Sequence, residues 1–231
     1  MPTITCPTFL RLRELYRTAA LLALITIFYN LLEGVVSVGF GLADETLALF
    51  GFGVDSFVEV ISGVGIWHLV RRLGQGEPAD RDRFERRALR ITGTSFYLLA
   101  AGLTLTAVLS TIEGHRPETA FWGIVVAVVS IVAMQLLIHY KVKVGTALNS
   151  PAILADAACT RTCLRLSVVL LAASAGYALT GIGWLDGAGS LAIAWLSFRE
   201  GKEAFAVARG LACSCSGTCS APQETVRHEA D

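Results

Sequence analysis

Long apolar segments run through almost the whole chain, and they constrain its fold more than any other feature. Six of them have about 20 or more mostly apolar residues, the length of a membrane-spanning helix: residues 18–40, 46–70, 91–112, 119–140, 151–179 and 184–207. A segment in lipid must satisfy its own backbone hydrogen bonds, as a helix does. The sequence therefore predicts an all-α membrane protein with six transmembrane helices, the sixth being the least regular because Arg199, Glu200, Lys202 and Glu203 interrupt it.

The composition agrees with a membrane location and argues against other classes. Hydrophobic residues make up 54% of the 231 residues and charged residues only 16%, which is unlike a soluble protein. Because 19 basic and 19 acidic residues balance, bulk charge does not favour nucleic acid as a partner. The first apolar segment has the full length of a span, so we expect no cleaved signal peptide.

Lys and Arg residues predict the orientation, because they concentrate in cytoplasmic loops. They lie before the first segment, between segments two and three, between four and five, and at the C-terminal side of the sixth: Arg11, Arg13, Arg17, the seven Arg residues of 71–90, Lys141, Lys143, Arg199, Lys202 and Arg209. Both termini are therefore predicted to be cytoplasmic. We divide the chain into a cytoplasmic N-terminal segment (1–17), a six-helix transmembrane domain (18–209) and a flexible Cys-rich cytoplasmic tail (210–231).

Two pairs of metal-ligating residue types lie inside apolar segments. Asp55 and Glu59 are four residues apart in the second segment, and Cys159 and Cys163 have the same spacing in the fifth. Residues four apart share a helix face, and ionisable groups within a membrane usually face a cavity or a partner. Two carboxylates opposite two thiols would form a four-ligand site for a borderline or soft metal ion. Helix packing could also explain each pair, since buried Cys often acts as a small hydrophobe.

The predicted depths of the two pairs match. At 1.5 Å per residue, Asp55 lies about 14 Å below the outer end of its span and Glu59 about 6 Å deeper. On the fifth span, Cys159 lies about 12 Å and Cys163 about 18 Å from the inner end. All four residues thus fall near the middle of a hydrocarbon core about 30 Å thick, so we expect one shared site.

Further residues have two open interpretations. Asp156 lies one turn before Cys159, where it would act as a fifth ligand, a proton shuttle or only a hydrogen-bonding group. Cys213, Cys215 and Cys219 of the tail would wrap a soft metal ion or belong to a disordered, reduced segment. A cytoplasmic location keeps these thiols reduced. Asp186 is predicted to cap the start of the sixth helix.

Four stretches of the sequence resemble the cation diffusion facilitator family of metal transporters. They are residues 47–56 followed by Glu59, residues 149–163, residues 184–194 and residues 29–36, and the likeness extends over about 11–209. The resemblance implies a homodimeric exporter that exchanges divalent metal ions for protons. Carried over by position, the family's ligands become Asp55, Glu59, Cys159 and Cys163.

The sequence departs from the family pattern at the ligands and at the C-terminus. The fifth-span pair is usually His and Asp, whereas both residues are Cys here, and Glu59 replaces the usual second Asp. The soluble domain that usually follows the sixth span is not seen in this sequence, so the chain resembles a short member of the family.

These observations predict a secondary transporter that exports a zinc- or cadmium-like ion from the cytosol. We expect it to be a non-enzymatic, multi-pass protein of a bacterial inner membrane that needs no prosthetic group, only its transported ion. Its expected partners are metal ions, protons, lipid and a second copy of itself. One alternative is a membrane thiol oxidoreductase using Cys159 and Cys163. The other is a metal sensor or chaperone that does not transport.

Overall fold

The computed structural model describes residues 9–43, 45–75, 83–113 and 120–210. Six long helices make up nearly all of this part of the chain: α1 (Phe9–Ala43), α2 (Leu47–Gly74), α3 (Arg83–Glu113), α4 (Phe121–Ala147), α5 (Pro151–Thr180) and α6 (Trp184–Ala208). The predicted all-α fold is thereby confirmed. Each helix contains one predicted span or nearly all of it, and α1 and α3 begin well before their apolar segments.

Five helices, α1 to α5, are long and apolar enough to cross a membrane. The sixth helix forms as predicted, but its charged last third keeps it out of that set. Large apolar side chains also cover the outside of the bundle; Phe28, Leu98 and Trp195 are more than half exposed. Such a surface is expected where lipid is the solvent. The chain is a multi-pass integral membrane protein.

Helix α2 is the centre of the bundle, since it packs against α1, α3, α5 and α6. The other extensive contacts join α3 to α6 and α4 to α5. Packing at the α1–α2 crossing depends on small residues. A Cβ atom at Gly53 would lie 2.7 Å from the backbone nitrogen of Val38 and 2.8 Å from the Cβ of Ser37. Close approach of this kind is typical of membrane helices, and it brings the polar residues of α1 beside those of α2.

Asp186 corrects one sequence prediction. We expected it to cap α6, but its Oδ2 accepts a hydrogen bond from the Leu47 N–H (2.9 Å) and its Oδ1 one from the Ala48 N–H (3.2 Å). It therefore caps α2, whose first N–H groups have no partners within the helix. The negative charge also suits the positive end of the helix dipole. This contact joins the start of α6 to the start of α2.

Candidate metal centre

Glu59 and Cys163 are in direct contact, although 104 residues separate them in sequence. The Sγ of Cys163 donates a hydrogen bond to Oε1 of Glu59 at 2.6 Å. Glu59 lies midway along α2 and Cys163 lies midway along α5, so the depth match predicted from the sequence corresponds to a contact. The structure thus brings together one residue from each predicted pair.

Asp55 has a different environment from Glu59. It is only 2% exposed, and its Oδ1 accepts a hydrogen bond from the Ser197 hydroxyl of α6 at 3.0 Å. Its carboxyl group therefore bonds to the sixth helix, one turn away from the Glu59–Cys163 contact. Ser197 is fully buried, and sequence reasoning did not identify it. The sequence did show Ser197 as a polar residue within an apolar segment, and this feature could have marked it as a partner of Asp55.

A cavity of about 60 Å³ contains the Glu59–Cys163 contact in its wall. Five of the six helices line it, all except α4. The ionisable groups among its described lining residues are four carboxyls and one thiol: Glu59, Asp156, Glu200, Glu203 and Cys163. Cys159 also lines the cavity. Asp55 is described but is not part of this lining. A cavity that presents only acidic groups and thiols attracts cations.

The cavity-lining position of two acids, Glu200 and Glu203, could not be read from the sequence pattern alone. Glu200 and Glu203 were treated as an interruption of the sixth span, yet both line the cavity. They are three residues apart, so they share the face of α6 that lines the cavity. A feature like the Asp55 and Glu59 pair could have indicated it, because Glu200 and Glu203 are also two acids close together within a predicted span.

Asp156 lines the same cavity but is already paired with a cation. Its Oδ2 lies 2.9 Å from the Lys141 Nζ, and Lys141 also donates to the Thr160 hydroxyl at 2.9 Å. Lys141 is fully buried. We had assigned Lys141 to the loop after the fourth span, which is wrong because α4 continues to Ala147. This ion pair favours a structural role for Asp156 over that of a fifth ligand.

Cys159 is half-buried and lines the cavity one turn from Cys163. Its sulfur is disulfide-bonded, whereas Cys163 is a free thiol, so these two cysteines do not form a disulfide with each other. Cys159 can bind a metal ion only after reduction. The tail residues Cys213, Cys215 and Cys219 lie outside the described residues.

Polar residues of α1 complete the surroundings of Glu59. The Asn30 Nδ2 donates to Oε2 of Glu59 at 3.0 Å. One turn further along, Glu33 accepts hydrogen bonds from the Tyr29 hydroxyl (2.9 Å) and the Ser56 hydroxyl (3.0 Å).

The described residues contain no group of three or more His, Cys, Asp or Glu side chains arranged to hold a metal ion. These residues do provide the Glu59–Cys163 pair, a carboxylate and a thiol in the wall of an acidic cavity. Asp55 lies one turn from Glu59 on α2, and Cys159 lies one turn from Cys163 on α5. Carboxylate oxygen and thiolate sulfur together suit a borderline divalent cation.

Comparison with known sequences identifies the family. Residues 23–208 match the cation efflux transmembrane domain. The chain belongs to the cation efflux family. The resemblance inferred from the motifs is thereby confirmed, and the family's description agrees with a transport role that is not enzymatic.

Two relatives are similar over more than half of the chain. One is the manganese efflux system protein MneP of Bacillus subtilis, which is 27% identical over 203 residues, covering 82% of this chain and 66% of the relative. The other is the uncharacterized transporter MJ0449 of Methanocaldococcus jannaschii, 28% identical over 152 residues, covering 64% of this chain and 54% of the relative. The chain thus spans less than two thirds of the length of either relative.

Proposed function

We propose that this chain exports a borderline or soft divalent metal ion from the cytosol by exchange for protons, acting as a homodimer in a bacterial inner membrane. The Glu59–Cys163 contact carries the proposal. It supplies a carboxylate and a thiol, 2.6 Å apart, midway along two helices of a cation efflux domain. Asp55 and Cys159 are proposed to complete the site when side chains reorient around the ion.

The contact also suggests how metal and proton exchange. The Cys163 thiol donates a hydrogen bond to Glu59, and a thiol must lose its proton to bind a metal ion. A metal ion that binds between the two groups therefore takes the place of this proton, which leaves through the cavity. Return of a proton to the thiol would in turn weaken metal binding and favour release.

The position of the cavity agrees with loading from the cytosol. Its lining includes Thr26 at the midpoint of α1, Ile66 in the last third of α2, and Val207 at the end of α6. Ile66 and Val207 lie towards the end of the bundle that the Lys and Arg pattern predicts to be cytoplasmic, and Thr26 lies deeper in the membrane. We propose that ions reach Glu59 from this side, as expected for alternating access around a site near the midplane.

The identity of the metal remains part of the proposal. Thiolate ligands favour zinc and cadmium, which is the prediction from the sequence. The MneP relative is named for manganese efflux, and a site with more oxygen than sulfur ligands would suit that ion. Relative flux of zinc, cadmium and manganese therefore has to be measured rather than one metal alone.

The test is flux into proteoliposomes that contain the full chain, reduced before reconstitution. Glu59→Gln and Cys163→Ser each remove one ligand while keeping the size of the side chain. We expect each to lower flux of the transported ion by about tenfold or more. Ser174→Ala is the matched control, because Ser174 is a buried α5 residue outside the cavity. Flux at the unaltered level from both ligand variants, with normal expression, would contradict the proposed site.

The contact that Cys163 makes argues against one of the alternative functions. An oxidoreductase that uses Cys159 and Cys163 would need a disulfide between them, and Cys163 is a free thiol that bonds to Glu59. A sensor or chaperone without transport predicts tight metal binding with no flux in the same vesicles. Flux and metal binding, measured in the same vesicles, therefore separate all three functions.

A further inference from the structure

We propose that Asn30, on α1, is a further ligand of the transported ion and that its carbonyl oxygen makes the site accept harder divalent ions such as Mn²⁺. This inference rests on the proposed function, because it assumes that the ion binds at Glu59 and Cys163. It adds a third helix to a site that sequence reasoning built from α2 and α5 only.

The geometry places Asn30 on the same carboxylate as Cys163. Asn30 Nδ2 donates to Oε2 of Glu59 at 3.0 Å, and Cys163 Sγ donates to Oε1 of Glu59 at 2.6 Å. All three residues line one cavity. The bond to Oε2 fixes the orientation of the amide, since the reverse orientation would face two acceptor oxygens towards each other. The carbonyl oxygen of Asn30 is thus held beside Glu59.

The Asn30 oxygen differs from the other unpartnered buried oxygens of the described residues, the hydroxyls of Ser37, Thr92 and Ser174, because Asn30 also bonds to Glu59. Asn30 is only 2% exposed, and its Oδ1 is buried without a hydrogen-bond partner among the described residues. An unsatisfied buried acceptor costs about 1–3 kcal/mol. A purely structural role would need only the N–H bond to Glu59, which leaves the oxygen unexplained. An acceptor held next to a carboxylate and a thiol is a ligand for a cation.

Charge balance supports a neutral ligand at this position. Glu59 and Cys163 neutralise a divalent ion once both are ionised, so Asp55 and Cys159 would each add excess charge, which is costly in a low-dielectric interior, if they bound as anions. An amide oxygen adds a ligand without adding charge. On binding, the S–H bond of Cys163 breaks, an S–metal bond forms and the proton leaves to water, while Asn30 stays neutral.

The ligand type determines the metal preference. Carbonyl and carboxylate oxygens suit Mn²⁺, whereas thiolate suits softer ions such as Cd²⁺. Loss of the Asn30 oxygen should therefore weaken binding of Mn²⁺ much more than binding of Cd²⁺, which is held mainly by sulfur.

The experiment measures Mn²⁺ and Cd²⁺ affinity of the full chain in nanodiscs under a reductant that does not bind metals. Asn30→Leu keeps the size of the side chain and removes its oxygen; we expect Mn²⁺ affinity to fall about tenfold or more and Cd²⁺ affinity to change less than about threefold. Asn30→Asp keeps an oxygen but cannot donate when ionised, and it should retain Mn²⁺ binding. Ser37→Ala is the control, since Ser37 is an equally buried α1 residue with an unpartnered hydroxyl outside the cavity.

Two results would overturn the inference. An equal loss of both metals in Asn30→Leu and Asn30→Asp would mean that Asn30 acts only through its N–H bond, as a positioning residue for Glu59. Unchanged Mn²⁺ affinity in Asn30→Leu would mean that its oxygen is not a ligand. Failure of the proposed function looks different, because the unaltered protein would then bind neither ion, or Cys163→Ser would leave Cd²⁺ affinity unchanged.

Discussion

At the scale of single residues, the buried Lys141 determines that Asp156 is not available to a metal ion. Lys141 neutralises Asp156 at 2.9 Å and is itself fully buried, whereas Glu59 bonds to the uncharged donors of Asn30 and Cys163. Asp156 is therefore committed to holding α4 against α5. Glu59 is therefore the acid of the cavity that we propose meets the metal ion.

Loss of Lys141 should destabilise the protein strongly. Lys141→Met leaves Asp156 buried without its partner, and breaking a buried ion pair from one side costs about 3–5 kcal/mol. The double variant Lys141→Met with Asp156→Asn removes both charges and should recover most of that loss. Thermal unfolding in detergent measures both effects. If the double variant also transports metal normally, Asp156 is not a ligand; if it folds well but loses flux, Asp156 has a role beyond the ion pair.

At the scale of helices, the α1–α2 crossing sets the distance between Asn30 and Glu59. The two backbones approach so closely at Gly53 that a methyl group there would meet Val38 and Ser37 at less than 3 Å. The Asp186 cap then anchors the start of α2 to α6. Rigid supports of this kind hold site residues in place more precisely than a loop would.

Gly53→Ala should therefore separate α1 from α2. The added Cβ atom meets backbone, which cannot give way as a side chain can, and overpacking of this kind costs about 1–3 kcal/mol. We expect a lower unfolding temperature and reduced metal flux. Gly39→Ala is the control on the same pair of helices, since a Cβ atom at Gly39 would meet nothing within 4 Å. Equal stability of the two variants would show that the crossing tolerates a wider spacing.

At the scale of the whole molecule, the cavity and the predicted orientation together imply access from one side. Glu203 lines the cavity near the end of α6, and Ile182 lies in the short connection between α5 and α6, 41% exposed. The predicted cytoplasmic location of both termini would place these two residues on opposite sides of the membrane.

Cysteine labelling tests this arrangement. In a chain whose native cysteines are replaced by serine, Glu203→Cys should react with a membrane-impermeant maleimide only from the cytosolic side. Ile182→Cys should react only from outside, because water reaches it there. Inside-out and right-side-out vesicles provide the two sides. The opposite pattern would reverse the orientation, and with it the proposed direction of transport.

The amino-acid sequence by itself determined the six helices and the depth of the polar residues within them. Lipid leaves a spanning segment no alternative to a helix about 20 residues long, so α1–α6 and the level of Glu59 and Cys163 could be predicted from segment length. The partners of the polar residues could not. Lipid is as apolar as the interior of the bundle, so the spacing of apolar residues does not indicate which helix face is buried. Only the tertiary structure could decide that Asn30 bonds to Glu59, Ser197 to Asp55 and Asp186 to the start of α2, because each contact depends on how helices distant in sequence pack side by side.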